Sequence, residues 1–177
     1  MSNTARLVDF SREDVDVALR FGGGQYPGLH VRPLFKPKEI VVAAPALLKR
    51  GPPLKTFADL KNHTLLHDDS YRTWTHWLEV VGAKNVNPRR GIICGDRNSM
   101  LSATIEGGGV GITSDIFAAN ELKAGRLVRV FDAEVSATFG IYAVCLPRRL
   151  NDPLIAGTMD WLVREAQASP DAHPPAP

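Results

Sequence analysis

The chain has 177 residues, of which 44% are hydrophobic and 23% are charged, and its formal net charge is +2. This length and composition predict a globular protein with one large domain or two small lobes that share a cleft. The nearly balanced charge excludes the dense basic surface that nucleic-acid binding by this chain alone would need, and no apolar run approaches the roughly 18 residues of a membrane span.

The first strong strand signal is the alternation DVDVALRF at residues 14–21, and the three successive glycines at residues 22–24 end it. A dinucleotide-binding loop would open a helix at such glycines, because the pyrophosphate rests on the amides of a helix N-terminus. Here Pro27, Pro33 and Pro37 follow and argue against any helix. The glycine segment is therefore either a ligand-contacting loop at the end of a strand or a plain surface turn.

A continuous β-branched run, EIVVAAP at residues 39–45, predicts a strand that is covered on both faces. Two short helices follow it, the second capped by Thr56, and TLLHDD predicts the next strand. The segment 71–82 places Trp74 and Trp77 at helical spacing and ends at a glycine. This pattern is typical of an amphipathic helix whose tryptophans lie in the core.

A predicted buried strand, GIICGD, leads into a helix that carries Asp96, Arg97, Asn98 and Ser99 at its start. Either Asn98 or Ser99 could cap this helix, and free backbone amides there would suit a small anion such as a carboxylate. A purely structural cap is the alternative.

The rest of the chain continues to alternate strands with helices and ends in an amphipathic helix that begins at Pro153 and carries Trp161, which is also expected in the core. This alternation predicts an α/β protein with largely parallel sheets. The apolar surroundings of Cys94 and Cys145 predict buried free thiols rather than a disulfide.

No arrangement of residues in the sequence indicates catalysis or metal binding. His63 precedes its strand and His67 ends it, so the two histidines and the following Asp68 and Asp69 need not converge on a metal. The serines lack both the GxSxG pattern and a recognisable base. We therefore predict no catalytic residue, no metal and no cofactor.

Several segments occur together in one order: DVDVALRFGGGQYPGL, KEIVVAAPALL, PLKTFADLKNHTLLHDD, MLSATIEGGGVGIT and GIYAVCLP. In this order they resemble the effector-binding region of LysR-type transcriptional regulators, closest to the branch with the glycine-cleavage activator and the β-lactamase regulator. The resemblance covers nearly all of residues 5–168. It implies an α/β fold like that of type 2 periplasmic binding proteins, with two Rossmann-like lobes joined by two crossover strands around a small-molecule cleft.

Mapped onto this sequence, the resemblance implies that lobe one consists of residues 1–43 and 139–168 and lobe two of residues 44–138. The Pro- and Ala-rich end, residues 169–177, is predicted to be a disordered tail. Neither the first β-α unit of lobe one nor the helix-turn-helix of a full regulator has a counterpart here. We therefore expect an N-terminally truncated regulator whose lobe one is less stable than lobe two.

The resemblance also implies which residues contact the effector. By position they are Arg20, Phe21, Gly22, Asp96, Arg97, Asn98, Ser99 and Tyr142. For Arg20, a structural ion pair with a nearby acid is the alternative. The expected effector is a small molecule such as an amino acid, a peptide or a carboxylate.

The implied protein is a cytoplasmic, non-enzymatic sensor that forms a homodimer and reaches DNA only through the missing N-terminal domain. The alternative is a stand-alone solute-binding protein of the same fold. That function needs export, and the start of the chain lacks the basic segment and apolar region of a signal peptide.

Overall fold

The computed structural model describes residues 8–10 and 12–168, and the chain divides into two compact units. Unit one consists of Met1–Pro37 and Ala137–Pro177, and unit two of Lys38–Ser136. The sequence prediction places these divisions at 43/44 and 138/139. The predicted tail, 169–177, lies outside the described residues.

The described helices and strands are, in chain order, β1 (Val17–Gly22), β2 (His30–Phe35), β3 (Lys38–Ala43), α1 (Pro45–Arg50), a 3-10 helix (Phe57–Asn62), β4 (Leu65–His67), α2 (Arg72–Val80), β5 (Ile92–Ile93), α3 (Arg97–Ile105), β6 (Val110–Ser114), α4 (Asp115–Lys123), β7 (Val128–Arg129), β8 (Val135–Ser136), β9 (Gly140–Cys145), a second 3-10 helix (Pro147–Asn151) and α5 (Pro153–Ala168). Among these, β3 belongs to unit two because its hydrogen-bonded neighbours β6, β7 and β8 lie there.

Unit one contains a three-stranded antiparallel sheet in the order β1-β9-β2. The sequence patterns did not predict β2, because its Pro33 cannot donate to a strand ladder. The structure tolerates Pro33 since β2 is an edge strand and its register shifts between Pro33 and Phe35.

The core of unit one forms where α5 packs on this sheet. Its buried residues are Leu34, Ala143, Cys145, Met159 and Ala166. The expectation that Trp161 lies in this core is wrong, because its side chain is 51% exposed. Met159 and Ala166 occupy the buried face of α5, and helical periodicity turns Trp161 away from it.

Unit two contains a six-stranded sheet in the order β5-β4-β6-β3-β7, with β8 also paired to β3. β4 runs parallel to β5 and β6, whereas β3 runs antiparallel to β6, β7 and β8. The predicted largely parallel sheet is therefore wrong, and the observed sheet is mixed. A continuous apolar run indicates that a strand is buried, but it carries no information on the direction of its neighbours.

Both faces of the unit-two sheet are covered, as expected for β3. Val41 and Ala43 belong to one core cluster, and the alternate residues Ile40 and Val42 belong to another. Trp74 and Trp77 are buried in the first cluster, which confirms their predicted place in the core. The Nε1 atom of Trp74 donates a hydrogen bond to the carbonyl oxygen of Leu66 at 2.9 Å.

The strand β5 differs from its prediction as a buried strand. It lies at the edge of the sheet, and Ile92 and Ile93 are 56% and 44% exposed. Cys145 is buried as predicted, but Cys94, which follows β5, is partly exposed; both thiols are free. Apolar composition alone does not distinguish an edge strand from a central one. Among the described residues, no helix is long and apolar enough to cross a membrane.

Candidate functional site

The glycine segment after β1 makes room for two tyrosine rings. A Cβ atom on Gly22 would lie 2.4 Å from the hydroxyl oxygen of Tyr26. Gly24 has a φ of +83°, and a Cβ atom there would lie 2.8 Å from the Cζ atom of Tyr142. Gly22 and Gly24 are therefore required by close aromatic packing, and a phosphate loop is not needed to explain them.

Arg20, Tyr26 and Tyr142 form one cluster in unit one. Arg20 and Tyr142 are register partners on β1 and β9. The Arg20 guanidinium lies 5.1 Å from the centroid of the Tyr26 ring, and the Tyr26 and Tyr142 rings meet edge to face at 6.1 Å. Of the predicted effector contacts, the structure thus brings Arg20, Gly22 and Tyr142 together, and it adds Tyr26.

The other contacts of Arg20 are local. Its guanidinium donates a hydrogen bond to the carbonyl oxygen of Val8 at 2.9 Å and lies 5.9 Å from the centroid of the Phe10 ring. No acidic side chain of the described residues forms an ion pair with Arg20. Within this part of the chain, the alternative that Arg20 is a structural ion-pair partner is therefore not supported. Phe21 follows Arg20 on the strand and so points to the opposite face, where it contacts Phe139 and is 52% exposed.

The hydroxyl of Tyr26 is unusual because it is buried without a hydrogen-bond partner among the described residues. Burial raises the pKa of Tyr26, and Arg20 offsets part of this rise. The hydroxyl is therefore protonated and able to donate. Tyr26 is not among the contacts predicted from the sequence, although an aromatic side chain two residues after a run of glycines is a signal for packing on bare backbone.

In unit two, Asp96 is the N-cap of α3. Its Oδ1 atom accepts a hydrogen bond from the Ser99 amide at 2.9 Å, and its Oδ2 atom accepts from the Ser99 hydroxyl at 2.7 Å. The prediction that Asn98 or Ser99 caps this helix is therefore wrong. These hydrogen bonds lower the pKa of Asp96. Because the protein's own carboxylate engages the Ser99 amide, this helix start is poorly suited to a second anion.

Arg97, the residue that follows this N-cap, lies among acidic groups. Its guanidinium pairs with Asp68 at 3.3 Å and lies 5.8 Å from the centroid of the Phe117 ring. Glu39, at the start of β3, is only 6% exposed, and burial raises its pKa to about 7, with Arg97 lowering it and Asp68 raising it. Oε2 of Glu39 and Oδ1 of Asp68 are buried and have no hydrogen-bond partner in the described parts of the chain.

Glu39 is not among the residues predicted from the sequence, because its position at the start of an apolar strand resembles an ordinary exposed strand end. Among the described residues, His63 and His67 do not assemble a metal site either. His67 is buried and its Nε2 atom lies 3.1 Å from the carbonyl oxygen of Arg90. Within residues 8–10 and 12–168, no group of three or more His, Cys, Asp or Glu side chains could hold a metal ion.

Comparison with known proteins identifies the class to which this fold and these residues belong. The model of the LysR substrate binding domain matches residues 1–167. The chain therefore belongs to the LysR substrate-binding domain family.

Among its curated relatives is the glycine cleavage system transcriptional activator of Escherichia coli strain K12. The two are 36% identical over 163 residues, which cover 92% of this chain and 53% of the relative. The chain thus spans about half the length of the curated relatives it matches. These relatives are transcriptional regulators, which favours a regulator over a solute-binding protein.

Two solved structures show the same fold. The effector domain of the regulator AmpR of Pseudomonas aeruginosa has a TM-score of 0.73 and 29% identity, covering 90% of this chain and 76% of that one. The AmpR effector binding domain from Citrobacter freundii has a TM-score of 0.77 and 22% identity, with coverages of 92% and 80%. The predicted family and the predicted α/β fold like that of type 2 periplasmic binding proteins are confirmed.

Proposed function

We propose that this chain is the effector-sensing domain of a cytoplasmic transcriptional regulator and that it has no catalytic activity of its own. The observation that carries the proposal is the family match over residues 1–167, together with relatives that are transcriptional activators. In such a regulator, an effector acts by binding one conformation of the protein more tightly than another.

The effector contacts that we propose fall into two sets, one in each unit. In unit one they are Arg20, Gly22 and Tyr142, which lie together, and Phe21, which lies on the opposite face of β1. The cation of Arg20 and the phenol of Tyr142 suit the polar groups of a small metabolite. In unit two they are Asp96, Arg97, Asn98 and Ser99, at the start of α3. Support for the first set comes from the convergence of Arg20 and Tyr142 on adjacent strands, beside a hydroxyl that lacks a partner.

Thermal unfolding in the presence of amino acids, dipeptides and small carboxylic acids tests this function. A compound at a concentration of 100 Kd stabilises the protein by about 2.7 kcal/mol, which corresponds to a Tm increase of roughly 5 °C or more for a chain of this size. We expect the double variant Ser99→Ala, Tyr142→Phe to lose this increase.

The matched control is the double variant Ser70→Ala, Tyr71→Phe, which makes the same two chemical changes outside both proposed sets. It should keep the increase. A Tm increase that survives in the Ser99 and Tyr142 variant would place the effector elsewhere, and a panel without any response would contradict effector sensing itself.

We also propose that the chain forms a homodimer through the exposed edge of unit two. β5 pairs with β4 on one side only, and its Ile92 and Ile93 side chains are exposed. An open strand edge with apolar side chains can pair with a second copy. Val80 on α2 adds a further exposed apolar side chain to the same unit.

Light scattering coupled to gel filtration tests this association. The wild-type chain, of 19.3 kDa, is expected at twice its monomer mass, and Ile93→Lys is expected to shift it to the monomer because the added charge opposes edge pairing. The control Leu154→Lys, on an exposed apolar side chain of unit one, should stay dimeric. An unchanged mass for Ile93→Lys would contradict the proposed interface.

A further inference from the structure

Three carboxylates gather near the start of α3 in unit two, and we call Glu39, Asp68 and Asp96 the acidic cluster. Backbone hydrogen bonds hold the end of β4 against the segment before α3: the Cys94 amide donates to the carbonyl of His67 at 2.9 Å and the Gly95 amide donates to that of Asp68 at 2.8 Å. Asp68 and Asp96 are thereby fixed close together. Glu39 lies at the same end of the sheet, because it is the register partner of Ser114, the last residue of β6, and β6 is the strand between β3 and β4.

The acidic cluster contains more acceptors than the surrounding protein satisfies. Arg97 pairs with Oδ2 of Asp68, and Asp96 is engaged by Ser99. Oδ1 of Asp68 and Oε2 of Glu39 remain buried without a hydrogen-bond partner among the described residues. A buried acceptor without a partner costs about 1–3 kcal/mol, and more when it is charged, so such atoms mark positions where a ligand can supply the missing donors.

The neighbouring charged groups do not supply these donors. Asp115, at the start of α4, adds a further carboxylate, and its Oδ1 atom accepts hydrogen bonds from the amides of Lys38 and Ile116 at 3.2 and 2.9 Å. The ammonium of Lys38 lies 3.4 Å from the hydroxyl of Ser136. The local charge is therefore negative, and it disfavours the carboxylate of an effector at this position.

We infer that the proposed effector contacts in unit two include Glu39 and Asp68, which recognise a cationic hydrogen-bond donor such as the ammonium group of an amino acid, an amino-terminal peptide group or an amine. This inference rests on the proposed effector-sensing function and narrows its ligand class. An ammonium group carries three donors, which suits the two unpartnered carboxylate oxygens. A divalent metal fits less well, because no group of three or more His, Cys, Asp or Glu side chains in the described part of the chain could hold it, and because Arg97 repels a doubly charged ion more strongly than an ammonium.

The protonation of Glu39 makes the pH dependence of binding a second test of the inference. Without a ligand, the pKa of Glu39 is about 7, so the side chain is partly protonated at neutral pH. A bound ammonium favours the carboxylate and lowers this pKa, so binding releases a proton. Affinity should therefore rise about tenfold between pH 6 and pH 8, a range in which an alkylammonium group of pKa near 10 stays charged.

The test compares ligands that differ only in the ammonium group. Amino acids and dipeptides are titrated calorimetrically beside their N-acetylated counterparts and beside the deaminated acids, at pH 6 and pH 8. We expect binding of the free-amine compounds, with the predicted pH dependence, and loss of at least about tenfold in affinity for the acetylated and deaminated ones.

Glu39→Gln is the informative variant, because it keeps the size of the side chain and removes its charge. It should bind the amine compounds about ten- to a hundredfold more weakly and without the pH dependence. Glu79→Gln, on the exposed face of α2, is the control and should bind as the wild type does. Circular dichroism of each variant verifies that it is folded.

Each outcome is decisive. Equal binding of deaminated or acetylated compounds, or unchanged binding by Glu39→Gln, overturns the inference and leaves effector sensing intact. If no compound of any class binds, effector sensing by this chain is overturned together with the inference.

Discussion

The two units of the molecule differ in how they are built. Unit one has a three-stranded sheet, with both β1 and β2 at an edge, and a small core against α5. Unit two has a six-stranded sheet with a separate core on each face, one of them rich in aromatic rings. Because buried apolar area is the main source of stability, we expect unit two to be the more stable unit.

The largest effect is expected from removing a ring of the unit-two core. Trp77 is fully buried and contacts Phe57 and Phe131 with ring-centroid distances of 5.4 and 6.1 Å. Trp77→Ala should lower the free energy of unfolding by about 4 kcal/mol, through lost burial and the cavity left behind. Hydrogen exchange measured by mass spectrometry should show faster exchange in β3, β4 and β6, with little change in unit one.

Trp161→Ala in unit one is the matched control, because the same ring is removed from an exposed position. It should change the free energy of unfolding by only about 0.5 kcal/mol. Equal losses from the two substitutions would break the contrast between a well-packed unit two and a sparsely packed unit one.

The second prediction concerns the pH dependence that Glu39 gives to unit two. Its folded-state pKa of about 7 lies above the ordinary value of 4.5, so folding takes up a proton. The associated stability is fully present below pH 4.5 and is lost as the pH rises through 7. Between pH 5 and pH 8 the wild type should lose about 2.5 kcal/mol that Glu39→Gln does not lose. Urea unfolding of both proteins at the two pH values measures this difference, and parallel pH profiles would contradict it.

Much of this architecture could be predicted from the sequence. Local structure is determined by the continuous β-branched run of β3, the helical spacing of Trp74 and Trp77 and the cap at Thr56, and each of these is present as predicted. Strand direction and edge position depend instead on partners distant in the chain. This is why β3 was assigned to a parallel sheet and why β5 was expected to be buried.

The candidate site could be predicted only in part, because it also depends on contacts between distant parts of the chain. Arg20 and Tyr142 were selected from the family resemblance, and their register pairing follows from a β1–β9 contact between distant parts of the chain. Tyr26 and Glu39 were missed, because what distinguishes them is an unpartnered buried oxygen atom. Hydrogen-bond satisfaction is a property of the folded environment and leaves no periodic signal in the sequence.

The third prediction compares the unpartnered atoms of the two units. Whereas Glu39 gains or loses its charge near neutral pH, Tyr26 in unit one buries a neutral hydroxyl above the backbone of Gly22. Tyr26→Phe keeps the ring and its stacking with Arg20, and it removes the unsatisfied hydroxyl. Without an effector, the variant should be more stable by about 1 to 2 kcal/mol, with no dependence on pH between 5 and 8. A loss of stability in thermal unfolding would mean that the hydroxyl already has a structural partner.

The smallest effect separates the cap that the structure shows from the caps that the sequence suggested. Asp96 accepts two hydrogen bonds from Ser99, whereas Asn98 is exposed beside them. Asp96→Ala should lower the urea midpoint measurably, because α3 loses its N-cap, and Asn98→Ala should be nearly neutral. Since Asp96 has a lowered pKa, its contribution persists above pH 4 and is lost only as the pH falls further, opposite to that of Glu39. Urea unfolding at pH 7 and pH 3 measures the stability of the two variants. A larger loss of stability in Asn98→Ala than in Asp96→Ala would mean that Asn98 caps α3, as the sequence suggested.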